Sequence, residues 1–167
     1  MNKYLVIGNP IAHSLSPLLH NYWFKKYRFL DSIYEKKKVE KKDLKKIVEQ
    51  IKNDEVKGVN VTVPFKREIF NFIDTAPYEV QFTKSVNTLV KENDKVVGYN
   101  TDQQGFEISL EENDWDCKDK KILIIGAGGV TPSILSTFIK ADGAEKIYLS
   151  NRTRSKAEEL KKFWDKA

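Results

Sequence analysis

Apolar and polar positions recur in an ordered pattern along the first hundred residues. Short runs rich in β-branched residues predict five strands, over Lys3 to Gly8, Ser32 to Lys38, Gly58 to Val63, Ser85 to Lys91 and Lys95 to Asn100. Apolar residues three and four positions apart predict three helices, over Pro17 to Tyr27, Lys42 to Ile51 and a short segment near Arg67 to Phe72. Strands that alternate with helices in this way predict an α/β domain.

Two of the predicted helices carry an apolar stripe at helical spacing. The first stripe consists of Leu18, Leu19, Tyr22 and Trp23. The second stripe consists of Leu44, Ile47, Val48 and Ile51. We expect the second stripe to face inward, because helices of globular proteins bury their apolar face.

A new pattern of strands and helices begins after residue 101. Thr101 and Asp102 can cap a connecting helix over Gln103 to Glu112. Strands and helices then alternate over Lys121 to Ile125, Val130 to Ala141, Lys146 to Ser150 and Ser155 to Trp164. A doubly wound nucleotide-binding domain has about six strands. We therefore expect an α/β domain over residues 1–101, followed over 102–167 by the first part of a Rossmann-type parallel-sheet domain.

The composition is that of a soluble globular protein. Of the 167 residues, 40% are hydrophobic and 32% are charged. No apolar run approaches the roughly 20 residues that a membrane helix needs, and the first residues do not resemble a secretion signal. We expect a cytoplasmic protein that does not contact a membrane.

The net charge of +5 raises the question of nucleic acid binding. The lysines concentrate between Glu35 and Lys52, where they alternate with acidic residues as on a solvated helix surface. Aromatic residues are not interleaved with these lysines, so we expect no nucleic acid partner. The single cysteine, Cys117, cannot form an intramolecular disulfide, and we expect no metal site.

The stretch from Gly58 to Lys66 carries much of the candidate chemistry. In an extended segment, Asn60, Thr62 and Pro64 share one face, and Val59, Val61 and Val63 share the other. Lys66 then follows the strand in a turn. A lone lysine in such a position is most often a solvated surface charge, so its role depends on the groups around it.

Four further clusters lie at or near predicted strand ends. They are Ser14-Leu15-Ser16-Pro17, Ser85-Val86-Asn87-Thr88, Tyr99-Asn100-Thr101-Asp102 and Gly126-Ala127-Gly128-Gly129. With Ser16 as N-cap and Pro17 at the first helical position, the amides of the first turn point outward and favour an anion. The glycine cluster joins an apolar strand to a helix, so its backbone can approach a pyrophosphate.

Five separated motifs resemble those of the shikimate dehydrogenases, a family of two-domain NADP-dependent oxidoreductases of aromatic amino acid and chorismate biosynthesis. The motifs are Gly-Asn-Pro-Ile-x-His-Ser-x-Ser-Pro, Asn-Val-Thr-Val-Pro-x-Lys, Val-Asn-Thr-Leu, Asn-Thr-Asp-x-x-Gly and Gly-Ala-Gly-Gly. The resemblance implies a substrate-binding domain over 1–101, an NADP-binding domain from 102, and reversible reduction of 3-dehydroshikimate to shikimate. It also implies that the family chain continues beyond Ala167. The family commonly has Gly-Ala before Val-Asn-Thr, where this chain has Lys84-Ser85.

The resemblance assigns roles to the polar residues. It implies that Ser14 and Ser16 hold the substrate carboxylate and that Thr62 and Asn87 contact ring hydroxyls. Lys66 would be the principal acid or base. Asp102 would bind the same hydroxyl and orient the lysine. Both residues of this catalytic pair would therefore also contact the substrate.

The cofactor residues follow from the glycine cluster and from the end of the next strand. They are Gly126, Ala127, Gly128, Gly129, Val130, Asn151, Arg152 and Thr153. At the end of the strand that follows the glycine cluster, an NAD enzyme would usually offer Asp or Glu to the ribose. An arginine there indicates NADP, unless Arg152 is an ordinary solvated charge.

Two alternatives fit the same residues. A non-catalytic module would bind a hydroxylated cyclic carboxylate without a complete cofactor site. A related dehydrogenase would act on quinate or use NAD. In each case the expected partner is a small molecule, and the expected assembly is a monomer or a homodimer.

Overall fold

The computed structural model of the chain describes residues 1–140 and 144–164. The chain forms two compact units, Met1–Asn100 and Thr101–Ala167. The α/β architecture predicted from the sequence is confirmed. Within the described residues, every helix is too short or too polar to cross a lipid bilayer.

A mixed five-stranded sheet forms the centre of the first unit. Its strands are β1 (Asn2–Gly8), β2 (Ser32–Lys38), β3 (Gly58–Val61), β4 (Thr88–Glu92) and β5 (Lys95–Tyr99). The order across the sheet is β2-β1-β3-β4-β5. The first three strands are parallel, whereas β4 runs antiparallel to both β3 and β5.

Two strand boundaries in the first unit differ from the prediction by more than one residue. β3 ends at Val61 instead of Val63, and β4 begins at Thr88 instead of Ser85. Val63 is 62% exposed and therefore does not extend the buried valine face. The residues after Val61 and those before Thr88 form loops that bond to neighbouring segments. The candidate site lies in these loops.

Helix α2 (Leu44–Lys52) supplies the main core on one side of the sheet. It begins with a 3-10 turn over Lys41–Asp43, and its stripe of Leu44, Ile47, Val48 and Ile51 is buried as predicted. These side chains join a core that includes Val59, Val61 and Leu89. Full burial of each large aliphatic side chain contributes about 1.5–3 kcal/mol.

Two short helical elements follow β3. A 3-10 helix covers Ile69–Phe72, within the segment predicted to be helical. Helix α3 (Tyr78–Thr83) was not predicted. Its six residues include aromatic and β-branched types of low helix propensity, and burial of Val80 anchors it. Tertiary packing therefore determines this helix.

Helix α1 (Ser16–Lys26) packs on the sheet through a polar and aromatic face. Leu18 is 74% exposed and Tyr22 is 59% exposed, so the first apolar stripe points away from the sheet. The half-buried face instead carries His20, Asn21 and Phe24. The spacing rule located the helix correctly, but the apolar stripe that it marks is not the face that packs on the sheet.

The reason is the open backbone of the edge strand β2. The Asn21 side-chain amide donates to the carbonyl of Tyr34 at 2.8 Å and accepts from its N–H at 2.9 Å. A leucine could satisfy neither group, and unpaired backbone groups are costly when shielded from water. The His20 ring stacks on the Tyr34 ring at a centroid distance of 4.1 Å, and the Phe24 ring lies 5.3 Å from that of Tyr4.

Acid is expected to weaken this contact between α1 and the sheet. Burial lowers the pKa of His20 from its usual 6.5, because removal from water disfavours the charged ring. The unfolded chain then binds a proton more readily than the folded chain, so stability is lost as pH falls below the ordinary histidine value. Between about pH 7 and about pH 5, the denaturant midpoint of the chain should fall relative to that of His20→Phe.

Circular dichroism during urea denaturation measures both midpoints. His13→Gln is the matched control, because it removes the other histidine and leaves His20 in place. Parallel pH profiles for the unsubstituted chain and His20→Phe would contradict the expectation.

The second unit contains a two-stranded parallel sheet and three helices. Its elements are α4 (Asp102–Glu112), β6 (Lys121–Ile125), α5 (Thr131–Lys140), β7 (Lys146–Ser150) and α6 (Arg154–Trp164). Helices α4 and α5 meet through Phe106 and Phe138, whose rings make an edge contact at 5.5 Å. The predicted helix that corresponds to α5 ends at Ala141, which lies outside the described residues.

Candidate functional site

The polar segments of the first unit meet at one edge of its sheet. β1 and β3 are parallel, so the segments that follow them leave at the same edge of the sheet, the one formed by the carboxyl ends of these two strands. β4 is antiparallel to β3, and Asn60 pairs with Thr88, so the segment that precedes β4 lies at this edge too. Ligands of open α/β sheets commonly bind at the carboxyl ends of parallel strands. This topology brings the motifs of Ser14, Thr62 and Asn87 to a common edge.

Close backbone contact joins the first two segments. The Thr62 N–H donates to Ile7 O at 2.9 Å, and the Asn9 N–H donates to Val63 O at 3.0 Å. Gly8 lies between these bonds. A Cβ atom at Gly8 would lie 2.6 Å from Thr62 Cγ2 and 2.9 Å from Val63 O, so the approach of the two segments requires glycine.

Gly8→Ala is expected to lower the free energy of unfolding by about 1–3 kcal/mol, the usual cost of forcing an extra methyl group into a packed site. Backbone atoms form part of the clash, so side-chain rotation alone cannot relieve it. Gly105→Ala in α4 is the control, since a Cβ atom there meets nothing within 4 Å. Urea denaturation measures both, and an unchanged midpoint in Gly8→Ala would contradict the close approach.

The turn that contains Lys66 is held by core anchors on both sides. Phe65 and Ile69 belong to the buried core, and the Phe65 N–H donates to Thr62 O at 3.0 Å. The Lys66 carbonyl accepts from the Val86 N–H at 2.8 Å, which joins this turn to the segment before β4. The Lys66 backbone is thereby fixed next to Asn87, and its side chain is half-buried.

The loop with the two serines differs from the predicted capping arrangement. Helix α1 begins at Ser16 with Leu15 at the N-cap position, so the prediction of Ser16 as N-cap is wrong. The Ser16 N–H donates to Ser14 Oγ at 3.3 Å. This contact allows the helix to start earlier, because the hydroxyl of Ser14 satisfies an amide of the first turn. The loop is anchored by Ile11, which is buried beside Tyr34.

Asn87 precedes β4 and belongs to a chain of side-chain hydrogen bonds whose other members lie on β2, β3 and β4. Thr88 Oγ1 donates to Asn87 Oδ1 at 2.9 Å. Asn60 Nδ2 donates to Thr88 Oγ1 at 3.0 Å and lies 3.3 Å from the Asn87 carbonyl. The Tyr34 hydroxyl donates to Asn60 Oδ1 at 2.7 Å. Burial raises the pKa of Tyr34 well above its usual range, so this hydroxyl remains a neutral donor.

The sequence did not identify Tyr34 as part of this network. It assigned Asn60 to the polar face of β3 without a partner. Tyr34 belongs to a strand that reads as ordinary, and its partner is 26 residues away. A tyrosine preceding a run of lysines in an edge strand carries no local signal for such a bond.

Asp102 is the first residue of α4. Thr101 occupies the N-cap position, but its side chain makes no capping hydrogen bond. Capping by these two residues was a prediction from the sequence, and for Thr101 the structure contradicts it. The helical φ and ψ of Thr101 explain the difference, because an N-cap side chain normally reaches the first amides from an extended backbone.

The glycine-rich loop of the second unit follows β6 and leads into α5. Gly126 has a φ of 121°, which favours glycine. The Gly128 backbone is open on one side, since a Cβ atom there would meet no atom within 4 Å. The protein's own packing therefore does not require glycine at 128, whereas close approach of a pyrophosphate would. The loop fits a dinucleotide on this observation.

Two side chains hold the loop in shape. The Thr131 hydroxyl accepts from the Gly128 N–H at 3.0 Å and donates to Gly126 O at 3.1 Å. The Asn151 side chain accepts from the Ala127 N–H at 3.0 Å and donates to Thr153 O at 2.7 Å. Asn151 thus connects the loop after β6 to the loop after β7.

The two arginines after β7 have different surroundings. Arg154 Nε lies 2.7 Å from Glu158 Oε1, one turn along α6. Arg152 is exposed, and no ion pair engages it within residues 1–140 and 144–164. Its guanidinium is therefore available to a phosphate group.

Comparison with protein families gives two matches along the chain. The profile described as "Shikimate dehydrogenase substrate binding domain" matches residues 6–89. The profile described as "Shikimate / quinate 5-dehydrogenase" matches residues 107–167. The two matches fall in the first and the second unit.

Individual relatives agree with these profiles. The shikimate dehydrogenase (NADP(+)) of Pelagibacter ubique is 49% identical over 161 residues, covering 96% of this chain and 60% of that protein. The crystal structure of shikimate dehydrogenase from Aquifex aeolicus has a TM-score of 0.87 and 40% identity, covering 98% of this chain and 60% of that one. The Thermus thermophilus shikimate 5-dehydrogenase in complex with NADP(H) and shikimate has a TM-score of 0.84 and 28% identity, covering 99% and 61%. This chain spans about 60% of the length of the relatives it matches.

Proposed function

The chain belongs to the shikimate dehydrogenase family, and we propose that it binds shikimate through its first unit and NADP through its second. The proposed reaction is the reversible NADP-linked reduction of 3-dehydroshikimate to shikimate in aromatic biosynthesis. The observation that carries the proposal is the meeting of three separate polar motifs at one sheet edge, with Gly8 allowing the first two to touch.

The carboxylate end of the substrate is assigned to Ser14 and Ser16. Both residues stand at the start of α1, where the helix dipole favours negative charge. The bond from the Ser16 amide to Ser14 Oγ keeps the two hydroxyl groups in one compact loop. Two hydroxyl donors at a helix N-terminus suit a carboxylate.

The ring hydroxyls are assigned to Thr62 and Asn87. Thr62 is held by its backbone bond to β1, and Asn87 is held by its backbone bonds to Val61 and Tyr99. Both side chains offer neutral donors and acceptors. A polar substrate ring would therefore meet fixed partners without the cost of reorganising them.

Proton transfer is assigned to Lys66 with Asp102. Oxidation of a secondary alcohol requires a group that takes the hydroxyl proton while hydride leaves the carbon. As a neutral amine, Lys66 takes this proton in the oxidation of shikimate, and as an ammonium it returns the proton in the reduction of 3-dehydroshikimate. The family resemblance assigns Asp102 a second catalytic and substrate-binding role. NADP, when bound, accepts the hydride in one direction and supplies it in the other.

The cofactor is assigned to the two loops that Asn151 connects. The backbone of Gly126, Ala127, Gly128, Gly129 and Val130 would hold the pyrophosphate, and Asn151, Arg152 and Thr153 would hold the adenosine ribose. Arg152 would pair with the 2′-phosphate that distinguishes NADP from NAD. The substrate-binding domain then covers residues 1–101, and the NADP-binding part covers 102–167. The proposed setting is the cytoplasm, with small molecules as partners and a monomer or homodimer as the assembly.

Calorimetric titration of the 167-residue chain with shikimate tests the substrate assignment. We expect saturable binding that Ser14→Ala combined with Ser16→Ala weakens at least about tenfold, since hydrogen bonds to charged groups contribute roughly 1.5–3 kcal/mol each. Ser32→Ala, at the start of β2, is the matched control and should bind as the unsubstituted chain does. Absence of saturable heat, or equal loss in the control, would contradict the assignment.

A further inference from the structure

We propose that Tyr34 is a positioning residue for substrate binding, which sets the orientation of the Asn87 side chain through Asn60 and Thr88. Tyr34 lies on the edge strand β2, two strands away from β3 in the order across the sheet, and outside every motif of the candidate site. The inference rests on the proposed function, because Asn87 matters to ligand binding only if that edge of the sheet binds shikimate.

One backbone carbonyl shows in which direction the hydrogen bonds run. Asn60 Nδ2 lies 3.3 Å from the carbonyl oxygen of Asn87, which can only accept. The amide nitrogen of Asn60 must therefore face Asn87, and its oxygen Oδ1 must face the other way. There it meets the Tyr34 hydroxyl at 2.7 Å, so the hydroxyl must donate.

The remaining two bonds follow from this orientation. Asn60 Nδ2 also donates to Thr88 Oγ1 at 3.0 Å. The single hydroxyl proton of Thr88 is then directed to Asn87 Oδ1, 2.9 Å away. With its oxygen occupied in this way, Asn87 presents its amide nitrogen in the opposite direction, as a donor. Each member of the chain thus has one arrangement that satisfies its neighbours.

Tyr34 itself is fixed from three directions. It is buried, with 4% of its surface exposed. Asn21 bonds both its backbone N–H and its carbonyl, and the His20 ring stacks parallel to its own ring at 4.1 Å. His20 and Asn21 belong to α1, the helix that begins at Ser16. Helix α1 therefore bears a proposed carboxylate contact at its start and also holds Tyr34, the first donor in the series of hydrogen bonds that orients Asn87.

The first test is independent of any ligand. Tyr34→Phe removes the hydroxyl and keeps the ring against His20. In spectra of uniformly nitrogen-labelled chain, we expect the assigned side-chain amide signals of Asn60 and Asn87 to shift in Tyr34→Phe. Tyr4→Phe, which removes a hydroxyl from the adjacent strand β1, is the matched control and should leave both signals in place. Unchanged Asn87 signals in Tyr34→Phe would overturn the proposal.

The second test is a double-mutant cycle on shikimate affinity, measured by calorimetry. Tyr34→Phe should weaken binding by about two- to tenfold in the unsubstituted background, the range expected for one net hydrogen bond. In the Asn87→Ala background the same substitution should change affinity by less than about twofold, because its effect passes through Asn87. The loss of thermal stability caused by Tyr34→Phe should be the same in both backgrounds.

The two tests separate this inference from the proposed function. Equal losses of affinity in both backgrounds would overturn the positioning role and indicate a general structural effect. If the unsubstituted chain does not bind shikimate, the proposed function fails, and the amide signals of Asn87 still decide whether Tyr34 orients that side chain.

Discussion

Lys66→Ala is expected to lower the rate of NADPH oxidation with 3-dehydroshikimate by about 10²- to 10⁴-fold, the usual contribution of a positioned acid or base. Alanine removes the amine and leaves the turn intact, because Phe65 and Ile69 anchor it in the core and the Lys66 carbonyl keeps its bond to Val86. The measurement is the loss of reduced nicotinamide absorbance under saturating substrate.

Lys57→Ala is the matched control, because Lys57 lies in the same unit and its ammonium pairs with Asp54. It should retain the rate of the unsubstituted chain. Shikimate binding measured by calorimetry should change far less than the rate in Lys66→Ala, since proton transfer is specific to the transition state. A rate unaffected by Lys66→Ala would remove the lysine from the reaction. Saturable binding with no turnover in any variant would favour the non-catalytic binding module.

Arg152→Glu is expected to weaken NADP binding by about 10- to 100-fold, which corresponds to the loss of one charge-assisted contact with a phosphate. NAD lacks the 2′-phosphate, so its affinity should change much less. The chain would then prefer NAD over NADP or discriminate poorly between them. Titration of each cofactor, followed by fluorescence or calorimetry, gives the two dissociation constants.

Arg154→Glu is the comparison variant for this experiment. It reverses the charge two residues further on, where the arginine is paired with Glu158 within α6, and should leave the ratio of NADP to NAD affinity close to that of the unsubstituted chain. Equal loss of both cofactors in Arg152→Glu would refute a phosphate-specific role and return Arg152 to the class of solvated charges.

The elements that the sequence predicted correctly are those whose apolar pattern coincides with burial. β2 begins at Ser32 and ends at Lys38 as predicted, and α2 buries all four residues of its stripe. The family resemblance also rested on short local motifs, and the comparisons confirm it. In each case the information lies within a few neighbouring residues.

The features that the sequence mispredicted or left open depend on distant partners. The apolar stripe of α1 is exposed because the edge of β2 requires the Asn21 amide, and no periodicity encodes that requirement. Val63 leaves the strand because the chain turns there to join Asn9. The bond from Tyr34 to Asn60 follows from the order of strands in the sheet, which hydrophobic pattern alone does not determine.

The two hydrogen bonds from the Asn21 side chain to the Tyr34 backbone have a consequence for the behaviour of the chain in concentrated solution. A strand at the edge of a sheet is a template on which another chain can add a strand. Here the Asn21 side chain occupies the outward-facing backbone groups of Tyr34, and Asn21 belongs to a helix whose outer face is apolar. Local opening of α1 would uncover these backbone groups beside an apolar helix face that is already exposed in the folded chain, while the rest of the unit stays folded. Self-association would then begin from a nearly native molecule, and formulation that stabilises α1 would protect the chain better than formulation that raises global stability.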